Sequence, residues 1–148
     1  MLGDSLPQGW KWVTLEEIQH PDKRAIVSGP FGSNIGSRFF VSSGIPVIWG
    51  NNLTTDMTRY IDDGYVFLTE EKAKEFKNCE AYANDLIFTA AGTLGQVGII
   101  PSNAKHHHYI ISNKQMRARV DENVILPLYA YYWLASSEMV EYISQRNT

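Results

Sequence analysis

Short apolar runs bounded by Gly, Pro and Asn constrain the fold of this 148-residue chain more than any other sequence feature. Runs of this length, rich in β-branched and aromatic residues and closed by turn-forming residues, are typical of β-strands. They occur at 25–29, 46–49, 64–68 and 115–120, and twice within 84–101, where a glycine-rich turn separates two strands. The sequence therefore predicts about six short strands.

Three helices are predicted around these strands. Thr14 caps the first, with Glu17 as its capping-box partner, and Thr69 caps the second. The stretch 126–145 carries apolar residues at helical spacing, and Pro127 suits a first helical turn. The expected fold class is α+β, with a mixed or antiparallel sheet core of short strands, small flanking helices and a long C-terminal helix.

The strand at 115–120 alternates strictly between polar and apolar residues. Met116, Ala118 and Val120 are predicted on one face, and Gln115, Arg117 and Arg119 on the opposite face.

Length and composition indicate one globular domain over residues 1–148. No apolar run approaches the roughly 20 residues that a membrane helix needs, and the N-terminus lacks the pattern of a secretory signal. Cys79 is the single cysteine, so no internal disulfide can form and the residue is interpreted as structural. We expect a cytoplasmic protein that does not bind membranes.

Charge is distributed unevenly along the chain, although the net charge is only -3. Two windows, 23–55 and 86–120, contain none of the 16 acidic residues but 7 of the 13 basic ones. If the two acid-free windows share a face, that face can meet phosphate. The alternative is that two loop-rich segments lack acids by chance.

Two motifs raise the possibility of small-molecule chemistry. The segment Gly92–Gly98 contains three glycines, and a nucleotide loop there would make the chain a small stand-alone ligand-binding protein or enzyme. A phosphate loop needs a following helix, whereas β-like residues follow here, which favours a hairpin. The histidines of 105–108 favour a solvated loop over a metal site. No catalytic constellation, metal site or cofactor is expected.

Asparagines and small residues in the first window suit contact with DNA. Asn51 and Asn52 follow a strand that ends at Trp49, and asparagine pairs well with adenine in a groove. The loop 28–38, "SGPFGSNIGSR", can bring its backbone close to a sugar-phosphate surface, with Phe31 expected to pin it to the core. The alternatives are a core tryptophan, amides that satisfy turn backbone, and a purely structural turn.

The order of these motifs resembles one target-recognition domain of a type I restriction–modification specificity subunit. Five segments carry the resemblance, in this order: "LPQGWKWVTLEEI", "SGPFGS", "GIPVIWGNNL", "NDLIFTAAGTLGQVGIIP" and "LPLYAYYWLASS". The resemblance runs from about Leu6 to about Ser137. It implies a non-catalytic module that reads one half of a split DNA site in a bacterial defence system, while companion subunits methylate or cut.

The resemblance implies double-stranded DNA as the partner and, in the full-length context, the methyltransferase and restriction subunits of the complex. No second recognition domain or helical spacer is expected within residues 1–148. The expected DNA-binding residues are Ser33, Asn34, Ser37, Arg38, Trp49, Asn51, Asn52, Thr93, Gln96, Lys105, His107, Lys114, Gln115 and Arg117.

Overall fold

Eight strands are present in the computed structural model, which describes residues 5–22, 24–91 and 95–146. They are β1 (Ile26–Ser28), β2 (Ile45–Ile48), β3 (Val66–Leu68), β4 (Glu80–Ala81), β5 (Leu86–Thr89), β6 (Val97–Ile99), β7 (Tyr109–Ile111) and β8 (Gln115–Ala118). They form two four-stranded sheets, in the orders β1–β8–β5–β6 and β3–β2–β7–β4. The expected α+β class with short strands is confirmed.

The first sheet is antiparallel throughout, and the second is mixed. In the first sheet β8 pairs with both β1 and β5, so that Ala118 lies opposite Ile26 and Leu86. In the second sheet β2 pairs antiparallel with β3 but parallel with β7, with Val47 opposite Ile110. The two acid-free windows are thus paired with each other in both sheets.

The first sheet is buried on both faces, which gives the protein three layers. Leu86 packs with Tyr131 and the other residues of a cluster that includes the C-terminal helical region. Its neighbour Ile87 points the other way, into a cluster with Val47 and Ile110 of the second sheet. The first sheet is therefore the middle layer, between the second sheet and the helices.

The two small helices form as predicted. Helix α1 (Leu15–Ile18) begins with the expected capping box, in which Thr14 Oγ1 accepts from the Glu17 amide and Glu17 Oε1 accepts from the Thr14 amide. Helix α2 (Glu70–Ala73) is capped by Thr69, whose Oγ1 accepts from the Lys72 amide, and continues as a 3-10 segment over Lys74–Cys79.

The predicted long C-terminal helix is wrong, because the stretch forms two helices. Helix α3 (Pro127–Leu134) has the expected proline in its first turn, and α4 (Ser137–Arg146) follows. Ser136 separates them: its Oγ donates to the Trp133 carbonyl and accepts from the Met139 amide, which caps α4. No helix in the described part of the chain is long and apolar enough to cross a membrane.

Candidate nucleic-acid interface

The ends of five strands converge on one turn. β7 and β8 are joined by residues 112–114, which we call the central turn. Its backbone forms hydrogen bonds with both sheets. The Ser112 amide donates to the Ile48 carbonyl at the end of β2 (3.0 Å), and the Ala90 amide donates to the Lys114 carbonyl (2.8 Å). The Gly29 amide donates to the Gln115 carbonyl (2.9 Å) just after β1. We call the region formed by loops 29–38, 49–53 and 112–114 and by residues 89–91 and 95–96 the loop end.

Glycine is required where these loops pack together. A Cβ at Gly29 would overlap the Ser112 carbonyl oxygen, which is backbone and cannot rotate away. A Cβ at Gly50 would lie 2.8 Å from Gln96 Oε1. The loops are therefore packed against one another, and the loop end is a continuous surface.

The loop 29–38 is anchored by Ile35 and not, as predicted, by Phe31. Ile35 is 1% exposed and belongs to the core between the sheets, whereas Phe31 is 82% exposed. The sequence prediction for Phe31 is therefore wrong. Two apolar residues lie four positions apart in this loop, and composition alone does not say which one faces inward.

The predicted polar residues of this loop are exposed, and its cation lies near the central turn. The exposed residues are Ser33, Asn34, Ser37 and Arg38. Arg38 Nη2 donates to the Ser33 carbonyl (3.4 Å), and its guanidinium lies 4.5 Å from the Phe39 ring centre. The neighbouring Gly32 faces Asn113, which precedes the exposed Lys114. Arg38 and Lys114 thus belong to the same end of the molecule.

Asn51, Trp49 and Gln96 also lie at the loop end. Asn51 is exposed, and its amide Nδ2 donates weakly to the Gly64 carbonyl at 3.3 Å. Trp49 is half-buried, with its ring edge-on to Phe40 at 5.8 Å between centres. Gln96 is half-buried, and its Oε1 accepts from Thr89 Oγ1 at 3.0 Å. Of these three side chains, only that of Asn51 is exposed.

Asn52 is a scaffold residue, which corrects its prediction as a DNA contact. Its side chain is fully buried. Oδ1 accepts from the Trp49 amide (2.9 Å), and Nδ2 donates to the carbonyls of Ile61 and Asp63, both at 2.8 Å. The side chain therefore uses both ends of its amide to hold the turn that presents Asn51.

Gln115 and Arg117 are also buried, which corrects the prediction that they contact DNA. Both are 3% exposed because this face of β8 lies against the second sheet. Gln115 accepts from Ser112 Oγ within the central turn. Arg117 donates to the backbone carbonyls of Glu80 and Arg24, so its guanidinium has hydrogen-bond partners although it is buried.

The remaining predicted residues precede β7 or lie outside the described ranges. Lys105 and His107 are exposed in the segment before β7, and the Lys105 amide donates to Asp62. Thr93, with the neighbouring Gly92, lies outside the described residues.

The adjacent acids Asp62 and Asp63 follow the Asn51 turn in the sequence. The Asp62 carboxylate is held by hydrogen bonds. Asp62 Oδ1 accepts from the hydroxyls of Tyr65 (2.6 Å) and Tyr109 (2.8 Å), and Oδ2 accepts from the Lys105 amide (2.8 Å). Partial burial alone would raise the pKa of Asp62, but these hydrogen bonds outweigh it and the pKa lies below its usual value. Three neutral donors therefore stabilise its negative charge.

The strands around the glycine segment favour a hairpin over a phosphate loop. β5 and β6 pair antiparallel, and Gly95, which lies between them, has a positive φ of 89°. Gly95 leads into the strand β6, whereas a phosphate loop leads into the N-terminus of a helix. Among the described residues, no three His, Cys, Asp or Glu side chains are grouped so that they could hold a metal. Cys79 is buried, which raises the pKa of its thiol.

An apolar groove of about 400 Å³ lies between the N-terminal segment and the C-terminal helices. Trp10 packs on Tyr129 and Trp12 on Trp133, with ring centres 6.4 and 5.4 Å apart. Lys11 is the charged residue of its lining. The groove therefore offers apolar contact and little polar chemistry.

Sequence reasoning missed Asn113. It is exposed in the central turn, and a Cβ at Gly32 would lie 3.0 Å from its Nδ2. The signal was its place beside Lys114 in an acid-free, turn-forming Ser-Asn-Lys segment.

Two solved structures share this fold. The crystal structure of an HsdS subunit from Thermoanaerobacter tengcongensis matches 97% of this chain with a TM-score of 0.58 at 15% sequence identity. A chain from a study of complex assembly and conformational transition of the type I R-M system matches 98% with a TM-score of 0.56 at 13% identity. This chain spans 38% and 40% of those two chains.

No family model matches the sequence, and no curated protein matches it. At these identities the likeness concerns the fold. The chain therefore has the fold of the matched part of a type I specificity subunit, as the order of its sequence motifs predicted.

Proposed function

We propose that this chain recognises one half of a bipartite DNA site for a type I restriction–modification complex. The observation that carries the proposal is the convergence of four acid-free loops at the loop end, with Arg38 and Lys114 exposed among them. The fold shared with type I specificity subunits supports the same function.

The proposed contacts fall into two kinds. Arg38 and Lys114 are exposed, and in the described part of the chain neither forms a salt bridge, so both can neutralise phosphates. Asn51 and Gln96 carry amides that can pair with base edges in the major groove. Phosphate contacts fix the position of the domain, and amide contacts supply the sequence preference.

The chain itself performs no chemistry in this proposal. Methylation and cleavage belong to partner subunits, which would be held by parts of a longer specificity subunit. The alternative of a ligand-binding loop at Gly92–Gly98 is less well supported, because β5 and β6 continue as a hairpin on both sides of that segment.

Salt-dependent binding to a mixed-sequence DNA duplex of about 24 base pairs tests the proposal. We expect a Kd of about 10⁻⁴ to 10⁻⁶ M near physiological salt. Replacing both Arg38 and Lys114 by alanine should lower the slope of log K against log salt by about two units, because each phosphate contact contributes about 0.9. Fluorescence anisotropy at several salt concentrations measures this slope.

Arg24→Ala is the matched control, because Arg24 is exposed and precedes β1, whereas the loop end follows that strand. It should leave the slope unchanged. Failure of the unchanged protein to bind the duplex at low salt, or an equal loss for Arg24→Ala, would contradict the proposed interface.

A further inference from the structure

Phe31 is the most exposed large apolar residue among those the structure describes, at 82%. Four residues later Ile35 is 1% exposed in the core. Burial of a phenyl ring is favourable, so a fold that buries Ile35 and leaves Phe31 in water has an unused apolar group. A single exposed apolar side chain is ordinary. Phe31 requires an explanation because it lies in the acid-free loop 29–38 of the loop end.

The ring is carried by a backbone that is already ordered. The Phe31 carbonyl accepts from the Asn34 amide (2.9 Å), and the Gly32 carbonyl accepts from the Ile35 amide (3.2 Å). On the other side, Gly29 packs directly against the Ser112 backbone. A ligand that contacts the ring therefore does not have to order the loop, which removes one cost of binding.

The surroundings of the ring favour a nucleic acid over an apolar protein surface. No acidic residue occurs between Asp22 and Asp56, so the loop and its flanks lack negative charge. Arg38 lies against the Ser33 carbonyl two residues from the ring, and Lys114 lies in the adjoining turn. An exposed flat ring in an acid-free loop with exposed cations nearby matches a base step and its phosphates.

Resting on the DNA-binding function proposed above, we propose that Phe31 is a wedge that inserts its ring between two adjacent base pairs of the bound duplex. Apolar wedges of this kind partly unstack a base step and bend the duplex. The contact is made with the faces of the bases, so it positions the domain and does not itself read a sequence. It also predicts a preference for DNA that unstacks easily.

Two duplexes of equal length distinguish a wedge from a surface contact. One carries central TA steps, which are easily kinked, and the other carries a stiff A-tract. The unchanged protein should bind the TA duplex more tightly. Phe31→Ala should bind it about tenfold more weakly, because base–aromatic stacking has effects of this size. Its preference for the TA duplex should disappear, and Phe31→Trp should retain both properties.

The salt dependence of binding and the melting temperature distinguish a DNA contact from a structural role for Phe31. Loss of a structural residue would lower the melting temperature. Phe31→Ala removes no charge and no buried side chain, so both should equal those of the unchanged protein. Leu126→Ala is the matched control for loss of an exposed apolar side chain, since Leu126 is 71% exposed just before α3. It should leave the affinities for both duplexes unchanged.

The outcomes separate the wedge from the proposed function. If the unchanged protein binds neither duplex, DNA recognition fails and the wedge falls with it. If the unchanged protein binds DNA but Phe31→Ala binds within twofold of it, or keeps the TA preference, the wedge alone is overturned.

Discussion

The two ends of the paired sheets carry their charges in opposite ways. At the end opposite the loops, Arg119 donates two hydrogen bonds of 2.8 Å to Asp85 and stacks 3.9 Å from the Tyr82 ring centre. At the loop end, Arg38 and Lys114 are exposed and have no carboxylate partner among the described residues. We call the first region the ion-pair end.

This difference separates charges that stabilise the fold from charges available to a ligand. The carboxylate of Asp85 is 2% exposed, so Arg119 could leave it only at a large cost in free energy. Arg38 and Lys114 are not held in this way. A phosphate can therefore bind them without first breaking an ion pair, and the surface can remain positive although the chain carries a net charge of -3.

Loss of the buried carboxylate at the ion-pair end should have the largest effect on stability. Asp85→Ala leaves Arg119 half-buried without its partner and removes the acceptor of the Tyr82 amide. We expect a loss of about 3–5 kcal/mol in the free energy of unfolding, measured by urea denaturation.

Asp22→Ala is the control, because Asp22 is exposed and 4.0 Å from the same arginine. Exposed ion pairs contribute little to stability, so it should behave like the unchanged protein. Equal losses for the two variants would show that the buried Asp85–Arg119 pair contributes no more to stability than the exposed contact with Asp22.

Neighbouring asparagines at the loop end should have different effects. Asn52→Ala removes three hydrogen bonds between a fully buried side chain and the backbone, and we expect a loss of about 2–3 kcal/mol in the free energy of unfolding. Asn51→Ala removes one weak hydrogen bond of an exposed side chain and should leave stability nearly unchanged. Thermal denaturation of the two variants measures this difference.

Asn51 also tests the proposal that it contacts a base, whereas Asn52 only stabilises the turn. In a reassembled type I complex, Asn51→Ala should relax the base preference at one position by about 1–3 kcal/mol. Mapping of the methylated sites measures this. An unchanged methylated sequence with Asn51→Ala and a normal melting temperature would remove Asn51 from the proposed readers.

The smallest expected effect concerns Asp62, the acid held behind the loop end. Its pKa is lowered in the folded protein, so its contribution to stability is present above its unfolded pKa, about 4. That contribution is lost as the pH falls through the folded pKa. Asp62→Asn should therefore be less stable than the unchanged protein at pH 7, and the difference should shrink in acid.

Melting temperatures between pH 7 and pH 3 measure this difference, with Asp63→Asn as the exposed neighbouring control. A gap between the unchanged protein and Asp62→Asn that stayed constant over the range would show that the carboxylate gains nothing from its three donors.

Local patterns in the sequence predicted the strands and caps that depend on local chemistry. The capping box of Thr14 and Glu17 and the cap at Thr69 form as expected, since each joins residues three positions apart. The sequence missed β4 and β7. β4 has two residues, and β7 is a three-residue run buried on every side, so neither shows a periodic pattern.

Site residues were harder to predict, because burial depends on the layers. The alternation of β8 predicts one apolar face and one polar face. The polar face nevertheless lies against the second sheet, and Arg117 is buried there. Asn51 and Asn52 have the same side chain and adjacent positions, and only the turn that contains them decides which one is exposed. The acid-free windows were a better guide to the loop end. A segment without acidic residues lacks negative charge whichever of its side chains face outward.

The position of β7 and β8 in their sheets also sets the order in which this protein can assemble. β7 lies between β2 and β4, and β8 lies between β1 and β5, yet both are the last strands in the sequence. While the chain is being synthesised, the residues before β7 can pair only β2 with β3 and β5 with β6. Both sheets are completed only after β7 and β8 have left the ribosome. The long-range contacts of these late strands predict slow folding. They also predict that a chain cut short before residue 109 exposes strand edges and apolar faces that a chaperone or protease would bind.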